Sequence, residues 1–301
     1  MNIVIAGGSG FIGSALTERL TENGHHVYIL TRSTNKRSSS EKVTYLQWLT
    51  DTPFSIEEIG KVDAVINLAG ESLNSGRWTK ERKQRIVTSR ETATRKLIEL
   101  IKTLDHKPPV FINASAIGYY GFSQDEMFTE RTQSDQHDFL ATVCKQWEHE
   151  ASKAEDLGIR TVYARFGLVL DKKNGALPQM LTPYRLCCGG TVGSGRQWLS
   201  WIHIEDAVRI LEFALTNENI AGPLNLTAPH PEQMKPFGQT IATVLRRPHW
   251  LPVPSFALQA LLGEMSVLVL KGQKVLPEKA LTNGYQFQYP HLKGALQHLL
   301  R

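Results

Sequence analysis

Through residue 170 of this 301-residue chain, short apolar runs alternate with longer stretches whose apolar positions recur every three or four residues. The first kind reads as buried strands and the second as amphipathic helices. Strands are expected at Asn2–Ala6, His26–Thr31, Val43–Trp48, Asp63–Asn67, Val110–Ser115 and Arg160–Phe166. Helices are expected at Phe11–Glu22, which the pair Asn23-Gly24 stops, at Thr79–Leu104 and at Phe139–Leu157, with a helical turn near Ile56. Strands joined through helices imply parallel pairing and right-handed crossovers, hence an α/β doubly wound parallel sheet with ligands at the carboxyl ends of its strands. Beyond residue 167 the pattern changes: Pro178, Pro183, Pro223, Pro229, Pro231, Pro248, Pro252 and Pro254 cut it into shorter elements. On this reading the chain divides into a sheet domain over 1–167 and a smaller substrate-binding lobe over 168–301 with a helical C-terminal region, strands being free to cross between them. The apolar stretch Phe256–Leu270 includes Gln259 and Glu264 and is too short and polar to span a bilayer. It is expected as a helix covering a core, a cleft or a homodimer contact.

The turn between the first strand and the first helix carries chemistry. Gly7, Gly10 and Gly13 stand at G-x-x-G-x-x-G spacing, where missing side chains permit a tight turn, close approach of backbone N–H groups to a pyrophosphate, and close helix–strand packing. A Rossmann-type dinucleotide site is therefore expected, with Gly7, Ser9, Gly10, Phe11, Ile12 and Gly13 around the ligand. A site preferring NAD usually carries Asp or Glu at the end of the second strand, about 20 residues on, to accept from the ribose. This chain has Arg32 there, with Lys36 and Arg37 behind it. A guanidinium fork suits a 2′-phosphate, so NADP(H) is the expected cofactor.

Composition narrows the setting. Hydrophobic content of 41% and charged content of 21% are those of an ordinary globular protein. The net charge of +5 comes from scattered basic residues with no stripe interleaved with aromatics, so no nucleic-acid partner is expected. Cys144, Cys187 and Cys188 form an odd set without metal-ligand spacing, as in a reduced compartment. With a strand already at Asn2 and no targeting segment ahead of it, a cytoplasmic location and no membrane association are expected.

Two strand-end loops add candidates. After the fourth strand, Ala69 and Gly70 let backbone lie against a flat ribose or nicotinamide. Glu71 and Arg77 follow, either to bind cofactor hydroxyls and phosphates or to pair with each other. The fifth strand runs into Ser115-Ala-Ile-Gly-Tyr119-Tyr120, a hydroxyl at the cleft mouth followed by two phenols. These are the parts that carbonyl or carbinol chemistry needs beside a nicotinamide. Ser115 and Tyr119 are the catalytic candidates.

With these segments in view, the chain resembles the extended and atypical short-chain dehydrogenase/reductases, and more narrowly an NAD(P)-dependent epimerase-like group with a C-terminal domain of unknown function. The segments that carry the resemblance are GGSGFIG, NLAGE, ASAIGYYG, DFLATVCKQWE, RFGLVL, GSGRQWLSWIHIEDAV, GPLNLTAP, LRRP and GQKVLP. The resemblance implies a Rossmann domain, bound NADP(H), and cofactor contacts from Thr31, Arg32, Leu68, Glu71 and Arg77. It further implies a sugar- or carbonyl-containing small-molecule substrate lined by the second lobe, with Arg196 and Gln197 in its Gly-rich loop and His203 beyond it. Arg196 suits an anionic group, and His203 reads either as a proton carrier or as a helix cap.

One departure matters. The wider superfamily places Tyr-x-x-x-Lys on the helix after the fifth strand, the lysine activating the phenol and holding the nicotinamide ribose. Aligned on Trp147-Glu148, those positions hold Leu140 and Cys144, and Lys145 is turned away by about 100°. Either Tyr119, Tyr120 or His203 has taken over the acid/base duty, giving an atypical NADP(H)-dependent oxidoreductase or epimerase-like enzyme, or the protein binds the dinucleotide as a sensor without turnover.

Overall fold

The computed structural model describes residues 1–34, 39–50 and 59–301. Lys36, Arg37 and the turn expected near Ile56 lie outside the described residues. Asn2–Ala6 forms β1, and its Ile3, Val4, Ile5 and Ala6 are all at most 1% exposed. A strand covered on both faces has no polar face to present, which is why it reads as an unbroken apolar run. Phe11–Glu22 is α1, His26–Thr31 β2, Val43–Gln47 β3, Ala64–Asn67 β4, Lys80–Thr103 α2, Val110–Ala116 β5, Met127–Phe128 β6, Phe139–Ser152 α3 and Arg160–Phe166 β7. Thr79 caps α2 by accepting from Arg82 N, and Asp138 caps α3 by accepting from Leu140 N and Ala141 N. The expected helix through Leu157 instead ends at Ser152. The Ala154 N–H turns back to Ala151 O, and a separate 3₁₀ turn covers Glu155–Leu157.

The chain continues through β8 (Leu168–Leu170), α4 (Leu177–Arg185), β9 (Trp198–Leu199), β10 (Trp201–His203), α5 (Ile204–Thr216), β11 (Gly222–Leu226), β12 (Glu232–Gln233) and α6 (Met234–Leu245). It closes with α7 (Ser255–Leu262), α8 (Val267–Leu270), β13 (Lys274–Val275), α9 (Glu278–Thr282) and α10 (Leu292–Leu300). Seven parallel strands in the order β11-β7-β5-β4-β1-β2-β3 make the central sheet, a Rossmann-type α/β fold. The order reverses between β1 and β4, which places the crevice at their carboxyl ends.

The seventh strand, β11, comes from beyond residue 167, and α5 before it buries Ala207, Val208, Ile210, Leu211 and Ala214 in the same core as α1 and β1. Asp206, fully buried, accepts from Tyr285 Oη and from the backbone N–H groups of Gln288 and Tyr289, so the C-terminal segment is tied back to α5. The second lobe packs α4, α6 and α10 around Trp201, Phe237 and Leu296. The apolar stretch from Phe256 resolves into α7 and α8 around a tight turn at Gly263–Ser266. Among the described residues no helix is long and apolar enough to cross a membrane.

Candidate functional site

The glycine turn joins β1 to α1, and its three glycines do different work. Gly7 has φ +80°, and a Cβ there would lie 2.7 Å from the Leu68 carbonyl group. A Cβ on Gly13 would lie 2.2 Å from Gly7 O. Both positions are thus closed by the protein's own backbone. Gly10 is different. It is the N-cap of α1 in ordinary extended backbone (φ −79°, ψ −177°), and a Cβ there would meet only Gly7 O, at 3.2 Å. No side chain among the described residues caps α1. The first-turn N–H groups of Phe11, Ile12 and Gly13 therefore face the crevice with the positive end of the helix dipole behind them. That cradle fits a pyrophosphate. Ser9 is exposed beside it, and the Phe11 ring packs under Gly175 of the second lobe.

At the end of β2, Thr31 is buried and donates to Ser33 O at 3.1 Å. Arg32 is exposed and has no ion-pair or hydrogen-bond partner among the described residues.

Beyond β4, Leu68 and Ala69 border Gly7, so the two loops form one wall. Their anchor is Asn67, fully buried, whose amide donates to Asn113 Oδ1 (2.7 Å) and Thr94 Oγ1 (2.9 Å) and whose oxygen accepts from Ala69 N (3.1 Å). Asn67 and Asn113 are register partners across β4 and β5, a pairing that sequence reasoning missed. Glu71 and Arg77 do not pair with each other. Glu71 Oε1 takes Arg82 Nη1 at 2.7 Å, and Arg77 Nη2 donates to the Ala260 and Leu261 carbonyls at the end of α7. A guanidinium at a helix C-terminus is favoured by the orphan carbonyls and the dipole. Arg77 thereby ties this loop to the apolar C-terminal helices.

Ser115 and Tyr119 converge, but not as a pair at the mouth. Ser115 is 2% exposed, and its hydroxyl donates to Glu148 Oε1 on α3 at 2.7 Å. Glu148 also receives Arg165 Nε (2.8 Å) and Nη2 (2.7 Å), a two-pronged buried ion pair. Ser115, Arg165 and Asn225 stand level across β5, β7 and β11. Tyr120, 1% exposed, closes the set: its oxygen accepts from Arg165 Nη1 at 2.9 Å and its hydroxyl donates to Asn225 Oδ1 at 2.8 Å. Burial pushes the Tyr120 phenol up to about 12, Arg165 pulling the other way. Burial alone draws the Arg165 guanidinium down, but Glu148 overrides it and the net direction is up. Tyr120 is thereby committed to the interior. Tyr119 is half-buried, its ring 3.5 Å from Arg165 Cζ, and its hydroxyl has no partner among the described residues. Leu140 and Cys144 are buried on α3 beside Gly118, and burial, then Glu148, pushes the Cys144 thiol up to about 11. Cys144 cannot supply a cation.

The second-lobe candidates lie apart from this network. Arg196 is exposed, its backbone N–H bonded to Ser194 Oγ. Gln197 is 1% exposed and donates to the Val192 and Val269 carbonyls, stapling its loop to α8. His203 is likewise 1% exposed and is the N-cap of α5, its Nδ1 accepting from Glu205 N at 3.0 Å. That bond fixes the neutral tautomer, so Nε2–H donates to His298 Nδ1 at 3.1 Å, with Tyr289 stacked on the ring at 3.9 Å. Burial, then His298, lowers the His203 imidazole to about 4, Asp171 opposing. The unfolded chain protonates near 6.5, so this neutral histidine stabilises the fold fully above that pH and progressively less as pH falls towards 4. The loss is on the order of 3 kcal/mol. Thermal melts from pH 7 to 4 should show a falling midpoint, and His203→Asn, a neutral cap, should flatten it; an equally steep fall in the variant would assign the effect elsewhere.

The model of the NAD dependent epimerase/dehydratase family matches residues 3–226, and a model described as a domain of unknown function matches residues 253–299. Epimerase family protein YfhF of Bacillus subtilis (strain 168) is 51% identical over 301 residues, 100% of this chain and 98% of that protein. The crystal structure of human epimerase family protein SDR39U1 (isoform 2) with NADPH superimposes with a TM-score of 0.86 at 32% identity, covering 99% of each chain. A nucleoside-diphosphate sugar epimerase from Corynebacterium glutamicum gives a TM-score of 0.79 at 30% identity, over 99% of this chain and 57% of that one.

Proposed function

The chain belongs to the NAD dependent epimerase/dehydratase family, and from that premise we propose that it is an NADP(H)-binding oxidoreductase or nucleotide-sugar-epimerase-like enzyme working without the Tyr-x-x-x-Lys pair. The observation that carries this reading is Gly10: backbone packing closes Gly7 and Gly13, whereas Gly10 sits in ordinary extended conformation at an uncapped helix start with a single tight neighbour at 3.2 Å, which leaves its side of the turn open to a pyrophosphate. Gly7, Ser9, Gly10, Phe11, Ile12 and Gly13 surround the pyrophosphate, with Leu68, Ala69 and Gly70 along the nicotinamide side. Thr31 shapes the end of β2, where Arg32 takes the 2′-phosphate. The human relative's complex with NADPH supports that choice. Bound NADP(H) supplies a hydride donor or acceptor at its nicotinamide. Tyr119 moves the accompanying proton to or from a substrate oxygen, held in place by Arg165, Glu148 and Ser115. Arg196 lies on the substrate side, where it meets an anionic group; Gln197 and His203 serve there by holding their loops.

Titration of NADPH and NADH tests the cofactor claim. NADPH should bind about tenfold or more tightly, the worth of one charge-assisted contact, and Arg32→Asp should erase or reverse the preference. Equal affinities in the unmodified protein would refute it. A second reading, a dinucleotide sensor without turnover, draws on Leu140 and Cys144: neither can activate a phenol. Binding of NADPH with no oxidation across a broad carbonyl and nucleotide-sugar panel would select it.

A further inference from the structure

Resting on the reading that the glycine turn and the Leu68–Glu71 loop hold the dinucleotide, we propose that Arg90 supplies the cation missing from α3 and binds the ribose hydroxyls on the nicotinamide side. Arg90 stands on α2, directly beneath Gly70: a Cβ on that glycine would lie 3.2 Å from Arg90 Cζ. From the other side the guanidinium lies 4.9 Å from the Trp147 ring on α3, one helical turn beyond Cys144. Its Nη1 donates to the Glu71 and Ile86 carbonyls at 3.1 and 2.9 Å. The guanidinium is thus fixed in place by two helices and a loop.

What it lacks is an anion. Arg90 has no salt bridge among the described residues: Glu71, the carboxylate whose charge acts on it, is taken by Arg82 at 2.7 Å and Arg85 at 3.5 Å. Burial pulls the Arg90 guanidinium down, with no carboxylate close enough to reverse it. Among the described residues its Nε and Nη2 have no hydrogen-bond partner, and unlike the sealed Nε of Arg82 they are not shut away from solvent. A half-buried cation with two free donors beside an unsubstituted glycine is set for a ligand oxygen.

Strand order says which oxygen. Across the crevice the strands run β2, β1, β4, β5, with Arg32 just after β2, the glycine turn just after β1 and Gly70 following β4. A dinucleotide laid with its 2′-phosphate at Arg32 and its pyrophosphate at Gly10 brings its nicotinamide half to β4, over Arg90. The superfamily's lysine reaches that ribose from α3; here the charge comes from α2.

The test compares NADPH with 2′,5′-ADP, which has the adenine half alone. Arg90→Met should weaken NADPH binding about tenfold or more and leave 2′,5′-ADP within about twofold, with Arg90→Lys between. Arg32→Asp should weaken both. NADPH affinity within about twofold of the parent in a folded Arg90→Met protein overturns the proposal, as does equal loss of both ligands. Absence of NADPH binding in the parent protein overturns the dinucleotide reading itself, and this assignment with it. Should the variants not fold, phenylglyoxal modification of the parent protein decides: Arg90 should be protected by NADPH and not by 2′,5′-ADP, and equal labelling under both counts against the assignment.

Discussion

Gly10→Val is expected to lower NADPH affinity by more than about a hundredfold while shifting the melting midpoint of the free protein by only a few degrees. The asymmetry follows from the turn. At Gly10 the backbone is extended and the nearest obstacle is one carbonyl oxygen at 3.2 Å, which a shift of a few tenths of an ångström relieves. A branched side chain then fills the space before the first-turn N–H groups of α1, and removing two charge-assisted contacts to a pyrophosphate accounts for a loss of that size. Gly13→Ala should do the reverse. Its methyl group would stand 2.2 Å from Gly7 O and 2.7 Å from Gly8 Cα, so the helix must back away from β1 and the free protein should melt lower, by the 1–3 kcal/mol typical of an overpacked contact or more. Calorimetry of the two free variants, followed by fluorescence titration with NADPH, separates the effects. If Gly10→Val bound NADPH like its parent, the glycines would serve the turn alone.

How far the sequence reveals this site depends on how local each interaction is. The strand β1, the helix α1 and the turn between them are set by neighbouring residues, and the apolar run, the helical period and the glycine spacing mark them to the residue. The vacancy at Leu140 and Cys144 is also legible, since a motif at fixed helical spacing shows its absence as plainly as its presence. Contacts between distant segments leave no such trace. Ser115 reads as a cleft hydroxyl because it ends a strand, yet strand position does not say that Glu148, 33 residues on, accepts its hydrogen bond. Arg77 reads as a cofactor ligand from its loop; its carbonyl partners lie 183 and 184 residues away. Gln197 and His203 look like pocket groups in a glycine-rich segment, whereas a buried amide and a buried imidazole are drawn first to unsatisfied backbone. The return of α5 and β11 to the first sheet is hidden for a related reason: prolines mark where elements end, not which sheet the next one joins.

Tyr119→Phe carries the largest expected effect on turnover. Among the phenols of this turn, Tyr120 is sealed and hydrogen-bonded on both sides, so the half-buried Tyr119 hydroxyl is the one left to meet a substrate. With any carbonyl substrate that oxidises NADPH, the variant should turn over about 10²- to 10⁴-fold more slowly, the range for one proton-transfer group, at unchanged NADPH affinity. Its melting midpoint should hold, because no hydrogen bond within the described residues is lost. Ser115→Ala should slow the same step by less. Its hydroxyl acts through Glu148 and Arg165, on whose guanidinium the Tyr119 ring rests, so removing it loosens the support and leaves the proton donor in place. Because both changes act on one connected unit, the double variant should fall short of the product of the two single effects. Strict multiplicativity would uncouple Ser115 from Tyr119, and unchanged rates in both single variants would remove this turn from the chemistry.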